Sequence, residues 1–117
     1  MQSLKKLALA GLLIGTSALA AAPQANAAQL IWTFRSITPE TTYIRFYSQD
    51  RDAQWPSTSW ILDDKDFHTF TLNCNYGESI SYGAWDDNNT WGAGSDNSSC
   101  EKCAAICGGD PPVMTLR

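Results

Sequence analysis

The sequence predicts a small all-β protein: an antiparallel β-sandwich, Greek-key or jelly-roll-like, of about seven or eight short strands stapled by disulfides. Three observations predict it. Apolar residues alternate with period two and never recur at helical spacing over a long stretch. Clusters of Asp, Asn, Gly and Pro interrupt that alternation roughly every ten residues. Four cysteines, an even number, sit in the second half of a 117-residue chain. A parallel sheet is not expected, because its crossover helices would need length that is not there.

Taken in order, the first element is not part of the sandwich. Lys5 and Lys6 form a basic start, Leu7 to Ile14 an apolar run, and Ala25-Asn26-Ala27 a small-x-small cleavage site. Residues 1–27 therefore read as a removed signal peptide, leaving 28–117 as one domain. The apolar run is too short to cross a hydrocarbon layer of about 30 Å. No Arg-Arg pair precedes it, and no cysteine sits near the cleavage site to signal a lipid anchor. The general secretory route is expected, with a periplasmic or extracellular destination and no membrane span.

Leu30 to Phe34 predicts a strand with Leu30, Trp32 and Phe34 on one face. Thr38-Pro39-Glu40 is a turn. Thr42 to Gln49 is the clearest strand: Ile44 and Phe46 face the core, while Tyr43, Arg45 and Tyr47 share a partly wet face. Asp50 to Ser57 reads as a polar loop holding Trp55-Pro56, followed by a short strand at Ser59 to Leu62. After a turn at Asp63-Asp64-Lys65-Asp66, Phe67 to Cys74 places His68, Phe70, Leu72 and Cys74 on one face. Asn75-Tyr76-Gly77-Glu78 is a turn. Ser79 to Trp85 is a strand with Ile80, Tyr82 and Ala84 together. Asp86 to Asn89 turns the chain into a short strand, Thr90 to Gly94, and a loop follows to Ser99. Residues 100–107 contain no helix breaker between Glu101 and Ile106 and are expected to form a helical turn; Val113 to Leu116 closes the domain as a strand.

Charge excludes one class of partner. Both signal lysines fall outside the mature chain, leaving six basic against twelve acidic residues, net −6. Nucleic acid is therefore not expected as a partner. The five tryptophans also argue against disorder.

In an oxidising compartment, Cys74, Cys100, Cys103 and Cys107 are expected to form two disulfides. The expected pairing joins Cys74 to the 100–107 cluster and the other two locally. Two alternatives are weighed. Cys100-Glu101-Lys102-Cys103 is a CxxC, but no βαβ context surrounds it. A four-cysteine metal site normally shows two paired clusters, and Cys74 stands alone. No metal or other cofactor is expected.

Several phrases taken together carry a resemblance: Phe46-Tyr47-Ser48-Gln49, Trp55-Pro56, Leu72-Asn73-Cys74, Gly77-Glu78, Tyr82-Gly83-Ala84-Trp85, Trp91-Gly92-Ala93-Gly94, and the cysteine cluster. They resemble a group of small exported bacterial β-sandwich proteins with no assigned activity, over residues 44–109. Members of that group often carry one cysteine just before the Tyr-Gly-Ala phrase and another beside the middle cysteine of the cluster. Ser81 and Ala104 stand there in this chain. Absence of both together fits a deleted disulfide. The resemblance implies fold and location and transfers no catalytic residue.

Chemistry-bearing motifs are sparse. There is no Gly-x-Ser-x-Gly elbow and no His-Glu-x-x-His. His68, the single histidine, shares its face with Phe70 and Leu72 and reads as structural. The Asp- and Asn-rich turns read first as self-bonding turn formers, and second as calcium ligands. Tryptophan is the suggestive excess. Trp55, and Trp85 and Trp91 around Asp86 and Asp87, are the candidate binding residues, because loop aromatics beside polar groups suit a sugar ring. The expected function is a non-catalytic exported binding module for an envelope or extracellular glycan or protein, acting through loops at one end of the sandwich. The alternatives are a glycan-acting enzyme that uses Glu78 with a nearby aspartate, and a secreted inhibitor or effector.

Overall fold

The computed structural model describes residues 26–117. All of the expected signal peptide except Asn26 and Ala27 lies outside the described residues. Eight strands run through the described residues: β1 (Ala27–Ser36), β2 (Thr42–Ser48), β3 (Gln54–Leu62), β4 (His68–Asn75), β5 (Ser79–Trp85), β6 (Thr90–Gly92), β7 (Ala104–Ile106) and β8 (Met114–Leu116).

They form two packed sheets. One has the order β4-β1-β8; the other has β3-β2-β5-β6, with β7 pairing a further stretch of β5. The β2–β3 hairpin lies in the second sheet, and β4 returns to lie antiparallel beside β1 in the first. That is Greek-key connectivity.

Alternation explains which faces meet. Leu30, Trp32 and Phe34 of β1 are buried while Ile31 between them is exposed. In β2 and β5 the inward positions Ile44, Phe46, Ile80 and Ala84 have no exposure, and Tyr82 is buried beside them. Rings from the two sheets interlock. Phe34 sits 5.6 Å from Phe46 and 5.0 Å from Tyr82, and Phe70 lies 5.4 Å from Phe46 and 4.9 Å from Trp60. Each such pair contributes about 0.5–1.5 kcal/mol beyond the area it buries.

Cys74 of β4 is bonded to Cys107, the residue after β7, with Cα atoms 6.2 Å apart. This bridge ties one sheet to the other. Cys100 is bonded to Cys103, as the local pairing expected.

Four details depart from the sequence reading. Trp55-Pro56 is not in a loop but inside β3. There Trp55 pairs with Phe46 and Trp60 with Ile44, so Pro56 to Ser59 bulge opposite Arg45. A bulge on an edge strand is where a residue lacking an N–H is tolerated; the Trp55-Pro56 bond is cis. Second, the cysteine cluster forms no helical turn. Ala104–Ile106 instead pairs with Ser79–Ser81, giving partners to backbone groups on the buried β5. Third, β8 runs parallel to β1, pairing Phe34–Ser36 with Met114–Leu116. Fourth, Tyr47 is not on a wet face but only 4% exposed, because its hydroxyl donates to the Gly94 carbonyl of the loop folded over it.

Candidate functional site

The sequence-predicted site residues do not converge. Trp55 pairs with Phe46 and Trp91 with Ala84, so both lean toward the inner face of the larger sheet. Trp91 packs against the core and its indole N–H donates to the Arg117 carbonyl at 3.2 Å. Trp85 pairs with Tyr43 and points to the opposite, outer face. Along β2, Trp85 and Trp55 sit three residues apart, about 10 Å. All three are partly buried, and none lies in a loop.

Asp86 is a turn builder rather than a ligand contact. Its Oδ1 accepts the backbone N–H groups of Asn88 and Asn89 at 2.8 and 2.7 Å, and only 9% of the residue is exposed. Burial opposes its charge, but those donors hold its carboxyl below the usual value. Asp64 works the same way, accepting the Asp66 N–H at 3.0 Å and facing the His68 ring at 2.7 Å. Asp87 is exposed at the tip of its turn.

The residues that do converge lie at the other end of the sheet. The β2–β3 loop and the β4–β5 turn enclose a hollow of about 250 Å³ lined by Asp50, Arg51, Asn75, Tyr76, Gly77 and Glu78. Its centre is a buried carboxylate. The Glu78 side chain is 2% exposed. Arg51 grips it twice, Nε to Oε2 at 2.6 Å and Nη2 to Oε1 at 3.1 Å. The Asn75 N–H donates to Oε1 at 2.9 Å, and the Ser48 hydroxyl donates to Oε2. Burial works against the charged form, but Arg51, the Asn75 N–H and Ser48 outweigh it and lower the Glu78 carboxyl from 4.5 to about 2.

That network holds the rim. Arg51 is fixed by the fork and stacks over Trp55 at 5.5 Å, so the expected Trp55 does border this site, through an arginine. The Asp50 carboxylate accepts the Ser79 N–H at 2.8 Å. Tyr76 stands above the hollow and is 74% exposed, more than any other large apolar side chain described. Gly108 lies beneath its ring; a Cβ there would come within 2.7 Å of Tyr76 Cδ1.

Tyr76 is not among the binding residues expected from the sequence, which are Trp55, Trp85, Asp86, Asp87 and Trp91. The signal was present: a large aromatic between Asn75 and Gly77 in a tight turn has no inward position to occupy. Glu78, by contrast, could not be read from sequence as a buried ion-pair partner, because Arg51 is 27 residues away.

At the opposite end, another hollow of about 300 Å³ is lined by Ser36, Thr38, Glu40, Asp63 and their neighbours. Glu40 Oε1 there is buried without a hydrogen-bond partner. It has no aromatic ring in its wall and so no face for a sugar. Among the described residues no three His, Cys, Asp or Glu side chains are placed to share a metal ion, and no helix is long and apolar enough to cross a membrane.

The fold and site define a small disulfide-bonded β-sandwich with a polar hollow capped by an exposed aromatic. Comparison with family models, with curated proteins and with solved structures gave no match.

Proposed function

We propose that the protein is an exported, non-catalytic binding module that takes a glycan at the Tyr76 hollow. The observation that carries this is the ring of Tyr76, 74% exposed beside the Arg51 guanidinium and the Asp50 carboxylate, both held by hydrogen bonds, with the Asn75 side chain alongside. An exposed aromatic face next to preset polar groups is the arrangement that receives a sugar: the ring stacks, and the polar groups bond its hydroxyls. Export is supported by the amino-terminal pattern of residues 1–27 and by two disulfides, which persist in oxidising compartments. Cleavage after Ala27 would add a donor, since the Tyr76 N–H now bonds the Asn26 carbonyl at 2.6 Å.

Binding rather than catalysis is supported by the state of Glu78. A glycosidase acid needs a raised carboxyl pKa. Glu78 has a lowered one, and both its oxygens already accept hydrogen bonds. The test is a titration of the 15N-labelled mature protein with a panel of soluble oligosaccharides derived from cellulose, chitin, starch and pectin. The expected result is a set of amide shifts at residues 50–51 and 75–78, lost in Tyr76→Ala. If no member of the panel moves these signals, the reading is wrong.

A further inference from the structure

Most of the sheet edges among the described residues are blunted. In the larger sheet, β3 carries Pro56 and a bulge opposite Arg45, and the far side is made by β6 and β7, each of three residues. In the smaller sheet, β8 is three residues long and follows Pro111-Pro112 closely. Proline, bulges and short length keep an open edge from pairing with another chain. The other edge of the smaller sheet, β4, has none of them. It runs eight residues and pairs with β1 with no break in register. It contains no Lys, Arg, Asp, Glu or Pro.

One hydrogen bond fixes which backbone groups of β4 lie open. In an antiparallel ladder a residue turns its N–H and its C=O to the same side, and successive residues alternate. The Tyr76 N–H bonds the Asn26 carbonyl, on the β1 side. Even-numbered residues of β4 therefore bond β1, and odd-numbered ones face away. Asn75 is one of these: its N–H goes to Glu78 Oε1, and its carbonyl accepts the Glu78 N–H. Thr69, Thr71 and Asn73 remain, and among the described residues nothing bonds their outward backbone groups. Side chains do not screen this edge. Thr69 Oγ1 lies 2.8 Å from Thr33 Oγ1, and Asn73 accepts the Gln29 amide at 3.2 Å, so both lean back over β1.

We infer that this edge pairs with β4 of a second copy of the chain, antiparallel, about a two-fold axis at Thr71. In that register Thr71 meets the partner's Thr71 and Thr69 meets the partner's Asn73, so every open donor finds an open acceptor. Two copies of net charge −4 repel, but β4 brings no carboxylate to the contact. A foreign peptide fits less well. Strand addition takes its specificity from pockets beside the edge, and neither hollow described above is walled by any residue from Thr69 to Asn73. About six backbone hydrogen bonds, at one per 100–200 Å², correspond to an interface of roughly 600–1,200 Å². That is the size of a reversible association rather than a permanent one. Nothing in this pairing depends on the glycan reading.

The experiment is sedimentation velocity of the oxidised mature protein over a range of concentrations, with variants at Thr71 and Thr69, both exposed. The expected result for the wild type is a monomer–dimer equilibrium. Thr71→Lys sets two ammonium groups directly opposite each other and should abolish the dimer over the same range. Thr71→Cys, treated with oxidised glutathione, should give a disulfide-linked dimer, because Cα atoms of a hydrogen-bonded pair lie about 5.5 Å apart. Thr69→Cys, facing the partner's Asn73, should not. A wild type that stays monomeric at every concentration overturns the inference, and an edge reserved for a foreign peptide would give that result. A dimer that survives Thr71→Lys overturns it too, as does equal cross-linking from positions 69 and 71. Unchanged amide dispersion in Thr71→Lys separates a lost contact from a lost fold.

Discussion

At the scale of single residues, the acidic side chains divide by what surrounds them. Glu78 is the one whose burial and partners make a stability statement. Its carboxyl is at about 2 in the folded chain against 4.5 for the free group. A depressed value means the stabilisation is fully present above about pH 4.5 and is lost as pH falls toward 2. The linkage amounts to roughly 3 kcal/mol. We expect denaturant midpoints of the wild type to fall steeply between those limits. In Glu78→Gln the fall should be shallower and the neutral-pH stability lower by about 1–3 kcal/mol. The loss stays in that range because Arg51 is 45% exposed and water can solvate it once its partner is gone. Tyr76→Ala should behave oppositely. Its ring buries little, so stability should change by less than about 0.5 kcal/mol while glycan-induced shifts vanish. Sequence alone could not separate these residues: Asp86, Glu78 and Asp87 are equally acidic letters, and only burial and donors make one a turn cap, one a network centre and one a solvated tip.

At the scale of elements, β5 organises the larger sheet. One edge pairs with β2 along nearly its whole length; the other is shared by β6 and β7, with Tyr82 between them. The Tyr82 N–H bonds the Cys103 carbonyl, and its carbonyl accepts the Ala93 N–H. Ser81 and Ala104 face each other in this register. The Tyr82–Cys103 bond makes them a non-hydrogen-bonded pair, for which Cα atoms lie about 4.5 Å apart. That is within disulfide reach. A Ser81→Cys, Ala104→Cys double variant should therefore oxidise to a third bridge, read as a loss of two mass units' worth of thiol hydrogen. It should stabilise the fold by up to about 3 kcal/mol. Gly83 marks the other side of the strand. A Cβ there would collide with the Gly94 carbonyl. Gly83→Ala should lift the 93–99 segment, cost about 1–3 kcal/mol, and broaden the amide signals of Asp96 and Asn97 before those of the core. The alternation that defines β1 and β4 was readable because each buries one face; in β2 and β5 the apolar inner face was readable, while the burial of Tyr47 and Ser81 on the other face was not. The identity of β3 through Trp55-Pro56, and of β7 in place of a helical turn, was not. Both depend on which edge needs a backbone partner, and that is a property of the assembled sheet.

At the scale of the whole molecule, two sheets are held by interlocking rings and by one covalent bridge between them. The Cys74–Cys107 bond spans 33 residues, and on the chain-entropy account it stabilises by about 3–4 kcal/mol. The Cys100–Cys103 bond spans 3 and contributes about 1.5–2 kcal/mol on the same account. Replacing the first pair with alanine should therefore lower the denaturation free energy roughly twice as much as replacing the second. Equal losses would mean that loop closure is not what the bridges provide. Against a total of about 5–15 kcal/mol for a domain of this kind, the first bridge is a large share. What the sequence by itself determined was the class: period-two alternation admits strands and excludes helices, and even cysteines in a small chain admit staples. What only the tertiary structure decided was the site. Trp55, Trp85 and Trp91 carry the same chemical signal in the sequence, yet register sends one outward and two toward the core, while Tyr76 and Arg51, from different turns, meet over Glu78. Which face a strand residue occupies follows from local period, but which turns share an end follows from how the chain crosses between the sheets, and no local pattern encodes that.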